Sequence, residues 1–301
     1  MESSASRFIK FFLRAIKYNH PYQAGKFDLD KIRKDDITKP NRWMCKGCAV
    51  TFETTGNNKV WQLTPHQHTN SKILFYLHGG AFLGGMVKQQ WNTIAKIGRL
   101  CGCKVIIPAY PLAPENNYQD ALNMVLAAYK KLLSQHNSSE IIFIGDSAGG
   151  GLMFSFALLL QEHKIELPAK LIALSPWVDV SMVNPEAKKL EAVDPLIQVA
   201  GLKKAGELYA DGQSTTHPLI SPLYGDIKDF PETHIFAGTH DILQPDEKLF
   251  AEKAAKNGIE MHYYEYPGMI HGWMFMPIPE AKKTVKQIVD ICLDKSGKAD
   301  S

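Results

Sequence analysis

Apolar and polar positions alternate along this chain in two rhythms. Residues 73–77, 105–107, 141–144, 171–174 and 235–237 are short apolar runs without a polar partner at every second position, the pattern of strands buried on both faces. Residues 49–53 and 59–63 are strand formers on either side of Gly56-Asn57-Asn58 and read as a hairpin. Helical spacing predicts helices over 120–133, 152–160, 245–257 and 281–293, and a further strand over 261–266. Strand and helix in alternation predict an α/β fold with a mainly parallel central sheet covered by helices on both faces. From about 180 to 229 the rhythm fails amid scattered prolines and polar turns, so this stretch reads as an insertion at one edge of the sheet.

The first residues carry a third pattern. Phe8, Ile9, Phe11, Phe12, Leu13, Ala15 and Ile16 are interrupted by Arg7, Lys10, Arg14 and Lys17 at intervals of three or four, giving an amphipathic helix with a cationic stripe. The interruptions break the continuous apolar centre that a signal peptide needs. The expectation is that the aromatic face packs on the body of the protein. The alternative is a helix lying on an anionic membrane surface. No run reaches the length of a membrane-spanning helix.

Composition narrows the picture only slightly. At 301 residues, Lys and Arg (34) nearly balance Asp and Glu (31), and no basic block with interleaved aromatics invites nucleic acid. The odd set Cys45, Cys48, Cys101, Cys103 and Cys292 suits a reducing, cytoplasmic compartment better than a disulfide framework. Four of them could in principle hold zinc, and Cys45/Cys48 could form a redox pair, but buried free thiols are the simpler expectation. The histidines lack metal-ligand spacing, and neither metal nor cofactor is expected.

Chemistry concentrates around Ser147. Gly145-Asp146-Ser147-Ala148-Gly149 lies between an apolar strand and a helix, which describes a nucleophile elbow. A serine needs a base, an acid that orients it, and donors for an oxyanion. Asp241 follows the strand ending at Ala237, and His271 follows the strand ending at Tyr266, giving the chain order serine, acid, histidine. Gly79 and Gly80, after the strand at 73–77, can turn backbone N–H groups toward a bound carbonyl, and Ala148 N–H supplies a third donor. Asp146 is read as a brace for neighbouring loops, Asp246 as a first-turn helix carboxylate, His78 as structural and His240 as an exposed loop residue. Trp273, Met274, Phe275 and Met276 border the acyl site or fill the core.

These segments resemble the hormone-sensitive-lipase-like branch of α/β-hydrolase esterases. The resemblance rests on HGGAF at 78–82, YPLAPE at 110–115, GDSAGG at 145–150, SPWVDV at 175–180, DIL at 241–243 and PGMIHGW at 267–273. It implies Ser147 as nucleophile, Asp241 as acid, His271 as base, and Gly79, Gly80 and Ala148 as the oxyanion hole. It also implies a cap made of residues 1–48 and 181–229 over a core of 49–180 and 230–301. Two departures stand out: Ala81 where many members carry a third glycine, and Pro111 where arginine is frequent. The second bears on any ion pair normally made there. The expected activity is cytoplasmic hydrolysis of short-chain acyl esters, with a small-molecule ester as partner, no nucleic acid, and a homodimer compatible with the sequence. Deacetylation or amide hydrolysis of an acylated small molecule, a membrane-associated lipase, and a non-catalytic receptor of the same fold stay open.

Overall fold

A computed structural model describes residues 2–16 and 27–295; Lys17 and the outer ends of the first and last expected segments lie outside them. In chain order the elements are α1 (Ser4–Ala15), α2 (Leu29–Arg33), β1 (Cys48–Thr55), β2 (Asn58–Pro65), β3 (Ile73–Leu77), α3 (Lys88–Cys101), β4 (Lys104–Pro108) and α4 (Tyr118–Leu133). There follow β5 (Ile141–Asp146), α5 (Ala148–Glu162), β6 (Lys170–Leu174), α6 (Pro185–Leu190), α7 (Val199–Ala210), β7 (Glu232–Gly238), α8 (Gln244–Lys256), β8 (Met261–Tyr266) and α9 (Pro279–Cys292). The strands form one eight-stranded sheet in the order β1-β2-β4-β3-β5-β6-β7-β8. β1 and β2 form the expected antiparallel hairpin, and β3 to β8 run parallel to one another.

The unbroken apolar runs have a direct cause. In β3, Ile73, Phe75 and Leu77 enter one buried cluster while Leu74 and Tyr76 enter another, and β5 divides its residues the same way. The first cluster takes side chains from α4, α5 and α8, and the second from α3 and α9. Both faces of the central strands are therefore covered, and an alternating pattern would have placed polar groups in a core.

The β5–α5 turn is the tightest point of the fold. Ser147 has φ 51° and ψ −123°, a conformation that costs a side-chain-bearing residue of order 1–3 kcal/mol. The turn closes because its flanks lack side chains. A Cβ on Gly149 would stand 2.1 Å from the carbonyl oxygen of Leu77, backbone that cannot move without disturbing β3. Gly149→Ala should therefore destabilise the protein by about 3 kcal/mol or more in urea unfolding. Gly212→Ala offers the control: its φ is 82° but its Cβ would meet nothing within 4 Å, so about 1–2 kcal/mol is expected from backbone strain alone. Equal losses at the two positions would contradict this account of the turn.

Candidate active site

Three sheet-edge loops bring three side chains together. Ser147 Oγ lies 2.9 Å from His271 Nε2, and His271 Nδ1 lies 2.8 Å from Asp241 Oδ2. Asp241 is fully buried, and its second oxygen accepts from Leu243 N–H at 3.0 Å. The loops after β7 and β8 are stitched to each other, since Gly268 N–H donates to Thr239 Oγ1 at 2.8 Å and His240 N–H to the Met269 carbonyl at 2.9 Å. Burial alone would push His271 down. The charge of Asp241 and its hydrogen bond, with Asp194 and Asp146 adding, outweigh that and hold the imidazole above its ordinary value. Asp194, from the insertion, accepts from the backbone of Leu196 at 2.8 Å and Ile242 at 3.3 Å. Sequence reasoning missed it, since Ile242, the partner that ties it to the Asp241 loop, lies 48 residues away in the chain.

The loop after β3 is held by Asp146. Its carboxylate accepts from Tyr76 Oη, from Gly79 N–H at 2.9 Å and from Gln90 Nε2 at 2.9 Å, so the bracing role expected of it holds. The same contacts correct one expectation. Gly79 N–H is spent on Asp146 and is not free to receive an oxyanion. The N–H groups of Gly80, Ala81 and Ala148 donate to no protein acceptor among the described residues. Ala81 sits at φ 54°, which accounts for a glycine being at home there. His78 stacks on Tyr110 with ring centres 4.4 Å apart, and burial pushes its imidazole down to about 4. It is structural, as expected.

Around this group lies a cavity of about 710 Å³. Its walls include Ile9 and Leu13 of α1, Ile32 and Asp36, Leu196, Ile197 and Leu202 of the insertion, and Phe275 and Met276. Trp273 and Met274 instead fill the core. The expectation that the aromatic face of α1 packs inward is overturned: Phe8, Phe11 and Phe12 are 67%, 69% and 52% exposed. The reason is Lys10, buried against Glu2 at 2.6 Å and the Gly268 carbonyl at 3.0 Å, which rotates the helix so that Ile9 and Leu13 face the cavity. Lys10 also approaches His240 Nδ1 at 3.3 Å, so His240 is half-buried rather than exposed. Where Pro111 departs from arginine, Arg33 of α2 reaches in and pairs with Glu115 at 2.6 Å. Asp246 is buried and accepts from Asn184 at 2.7 Å, far from any role toward His271.

All five cysteines are free and buried, and burial pushes the Cys45 thiol up to about 12, against thiolate chemistry at neutral pH. They form no metal-holding group among the described residues. One such group does occur there: Glu232, His234 and His262, whose donor atoms lie within 4.8 Å of one another. Register between β7 and β8 creates it, and no spacing along the chain announces it. It sits at the opposite end of β7 from Asp241, and Lys170 already neutralises Glu232.

Residues 74–275 match the sequence profile of a family described as having the α/β-hydrolase fold. The chain is 30% identical to an acetyl-hydrolase of Streptomyces hygroscopicus over 72% of its own length and 74% of the relative's. It is 29% identical to an esterase of Acinetobacter venetianus over 74% and 75% of the two chains. A solved esterase/lipase from an uncultured bacterium superposes with a TM-score of 0.88 at 25% identity, covering 98% of this chain and 99% of that one. The buried parallel sheet, the serine at its strained turn and these matches lead to one placement: the chain belongs to the α/β-hydrolase fold family.

Proposed function

We propose that this carboxylesterase works through Ser147, His271 and Asp241 by an acyl-enzyme mechanism. The observation that carries the reading is the continuous relay from Ser147 Oγ through His271 to buried Asp241, with contacts of 2.9 and 2.8 Å. His271 Nε2 takes the Ser147 proton as Oγ attacks the ester carbonyl, and Asp241 steadies the imidazolium. The oxyanion is received by Gly80, Ala81 and Ala148 N–H, with Gly79 holding the loop through Asp146. Imidazolium returns the proton to the leaving alcohol. Water then attacks the acyl-enzyme by the same route, releasing the acid and restoring the serine.

The segments before 48 and from 181 to 229 act as the cap, a reading supported by Ile9, Leu13, Ile32, Leu196 and Leu202 in the cavity wall. The cytoplasm fits five free, buried thiols. Among the described residues no helix is long and apolar enough to cross a membrane. A complete relay separates this reading from that of a receptor, which would need no base. Amide substrates would use the same groups, and paired acetyl ester and acetamide substrates distinguish the two.

Ser147→Ala and His271→Ala should each lower kcat by about 10⁴-fold or more with the fold retained by circular dichroism. Asp241→Asn should be severe but milder, while Asp246→Asn should keep most turnover; the reverse order would move the acid to Asp246. The base must be neutral to act, and its folded value is raised above 6.5. Hence kcat/KM should climb with pH, with its midpoint above 6.5, and then level off. A midpoint well below 6.5 would contradict the Asp241–His271 pairing. A cavity of about 710 Å³ walled by both cap segments favours p-nitrophenyl esters from acetyl to roughly hexanoyl. Rising kcat/KM through dodecanoyl would refute the short-chain assignment.

A further inference from the structure

Helix α1 is built inside out for a surface helix in water. Polar groups along one side of it point into the protein: Ser3 is bonded to Glu280 through its N–H at 2.6 Å and its hydroxyl at 2.9 Å, and Lys10 is buried on Glu2 and the Gly268 carbonyl. These contacts fix the rotation of the helix. Phe8, Phe11, Phe12 and Ile16 consequently stand on one outward face, each at least half exposed, at the spacing of a single apolar stripe. An amphipathic helix packed on a globular body ordinarily turns such a stripe inward.

What flanks the stripe identifies its occupant. Among the described residues Arg7 and Arg14 bond only neutral oxygens, the Ser4 hydroxyl at 3.3 Å and the Val193 carbonyl at 2.9 Å, and make no ion pair there. Two uncompensated guanidinium groups beside exposed aromatic rings match the interface of an anionic bilayer, where rings enter the acyl boundary and cations meet lipid phosphates. A second exposed aromatic side chain stands next in sequence to a residue of the cavity wall. Trp43 is 74% exposed with Arg42 5.0 Å over its ring, and its neighbour Met44 lines the same cavity as Ile9 and Leu13. Aromatic and arginine side chains together are favoured at the membrane–water boundary.

We propose that the Phe8/Phe11/Phe12/Ile16 face of α1, with Arg7 and Arg14, docks the enzyme on an anionic lipid surface. The inward residues of the same helix line the cavity, so docking would set the cavity beside the lipid phase, where apolar esters partition. This goes beyond the esterase reading and stands or falls separately from it.

The test is co-sedimentation of the full chain with vesicles of phosphatidylglycerol and phosphatidylcholine, alongside pure phosphatidylcholine. Wild type should bind the anionic vesicles, lose binding as salt rises, and bind the neutral ones far less. The triple variant F8S/F11S/F12S should lower the partition coefficient about tenfold or more, and R7Q/R14Q should remove most of the salt dependence. Turnover of soluble p-nitrophenyl acetate should stay near wild type in both, which separates lost docking from lost folding or lost catalysis. Wild-type sedimentation no greater than in a vesicle-free control would overturn the proposal, as would binding that ignores all three phenylalanines. A wild-type dimer in light scattering that the triple variant turns into a monomer, without vesicle binding, would assign the face to a second copy instead.

Discussion

The Asp146 carboxylate is buried where β3, β5, α3 and the loop at 78–82 converge, and it joins all four by accepting from Tyr76, Gly79 and Gln90. A buried charge left without partners is costly, whereas hydrogen bonds to a charged group contribute about 1.5–3 kcal/mol each. That balance fixes where the next residue goes. Asp146 precedes Ser147, so the same contacts that settle the carboxylate set the entry to the strained turn and the distance from the serine to the loop at 78–82. The serine and the free N–H groups of Gly80 and Ala81 are thus placed relative to one another by one side chain that reacts with nothing. Preorganisation of this kind keeps donors fixed where charge develops, without rearrangement during the reaction.

The core of the fold was legible because its cause is local. Strand β8 appears at the expected residues, Met261–Tyr266, and α8 and α9 begin within two residues of the expected positions, since their patterns answer directly to burial on known faces. Ser147 and Asp241 were legible because each follows an unbroken apolar strand, and His271 because a glycine-bearing loop follows the strand at 261–266. The insertion was not. Helix α7 carries Gly201 and Gly206 inside it, and a Cβ on Gly206 would stand 2.3 Å from Val180 Cγ1. Close packing against the core demanded residues that weaken the helical pattern, so tertiary contact overrode propensity. Gly79 escaped for a related reason: its sequence context suits an oxyanion donor, and only the position of Asp146 shows where its N–H is spent.

Helix α1 illustrates how one buried polar contact can invert an amphipathic pattern. The sequence places aromatic rings and cations on different faces, and apolar burial argues for turning the rings inward. Lys10, however, has a carboxylate and a carbonyl waiting beside the loop that carries His271, and Ile9 and Leu13 suffice to cover the cavity. The N-terminal segment, the loop that carries His271 and the outward aromatic stripe are consequently parts of one arrangement rather than three separate features.

The central claim is that Ser147 is the nucleophile, activated by His271 within this preorganised turn. Treating the enzyme with a fluorophosphonate and mapping the adduct by peptide mass spectrometry tests it most directly, because phosphonylation requires an activated serine and leaves a stable mark on it. The account predicts a single adduct on Ser147, formed rapidly by wild type and at least about a hundredfold more slowly by His271→Ala. An adduct on another serine, or equal labelling of Ser147 without His271, would contradict it.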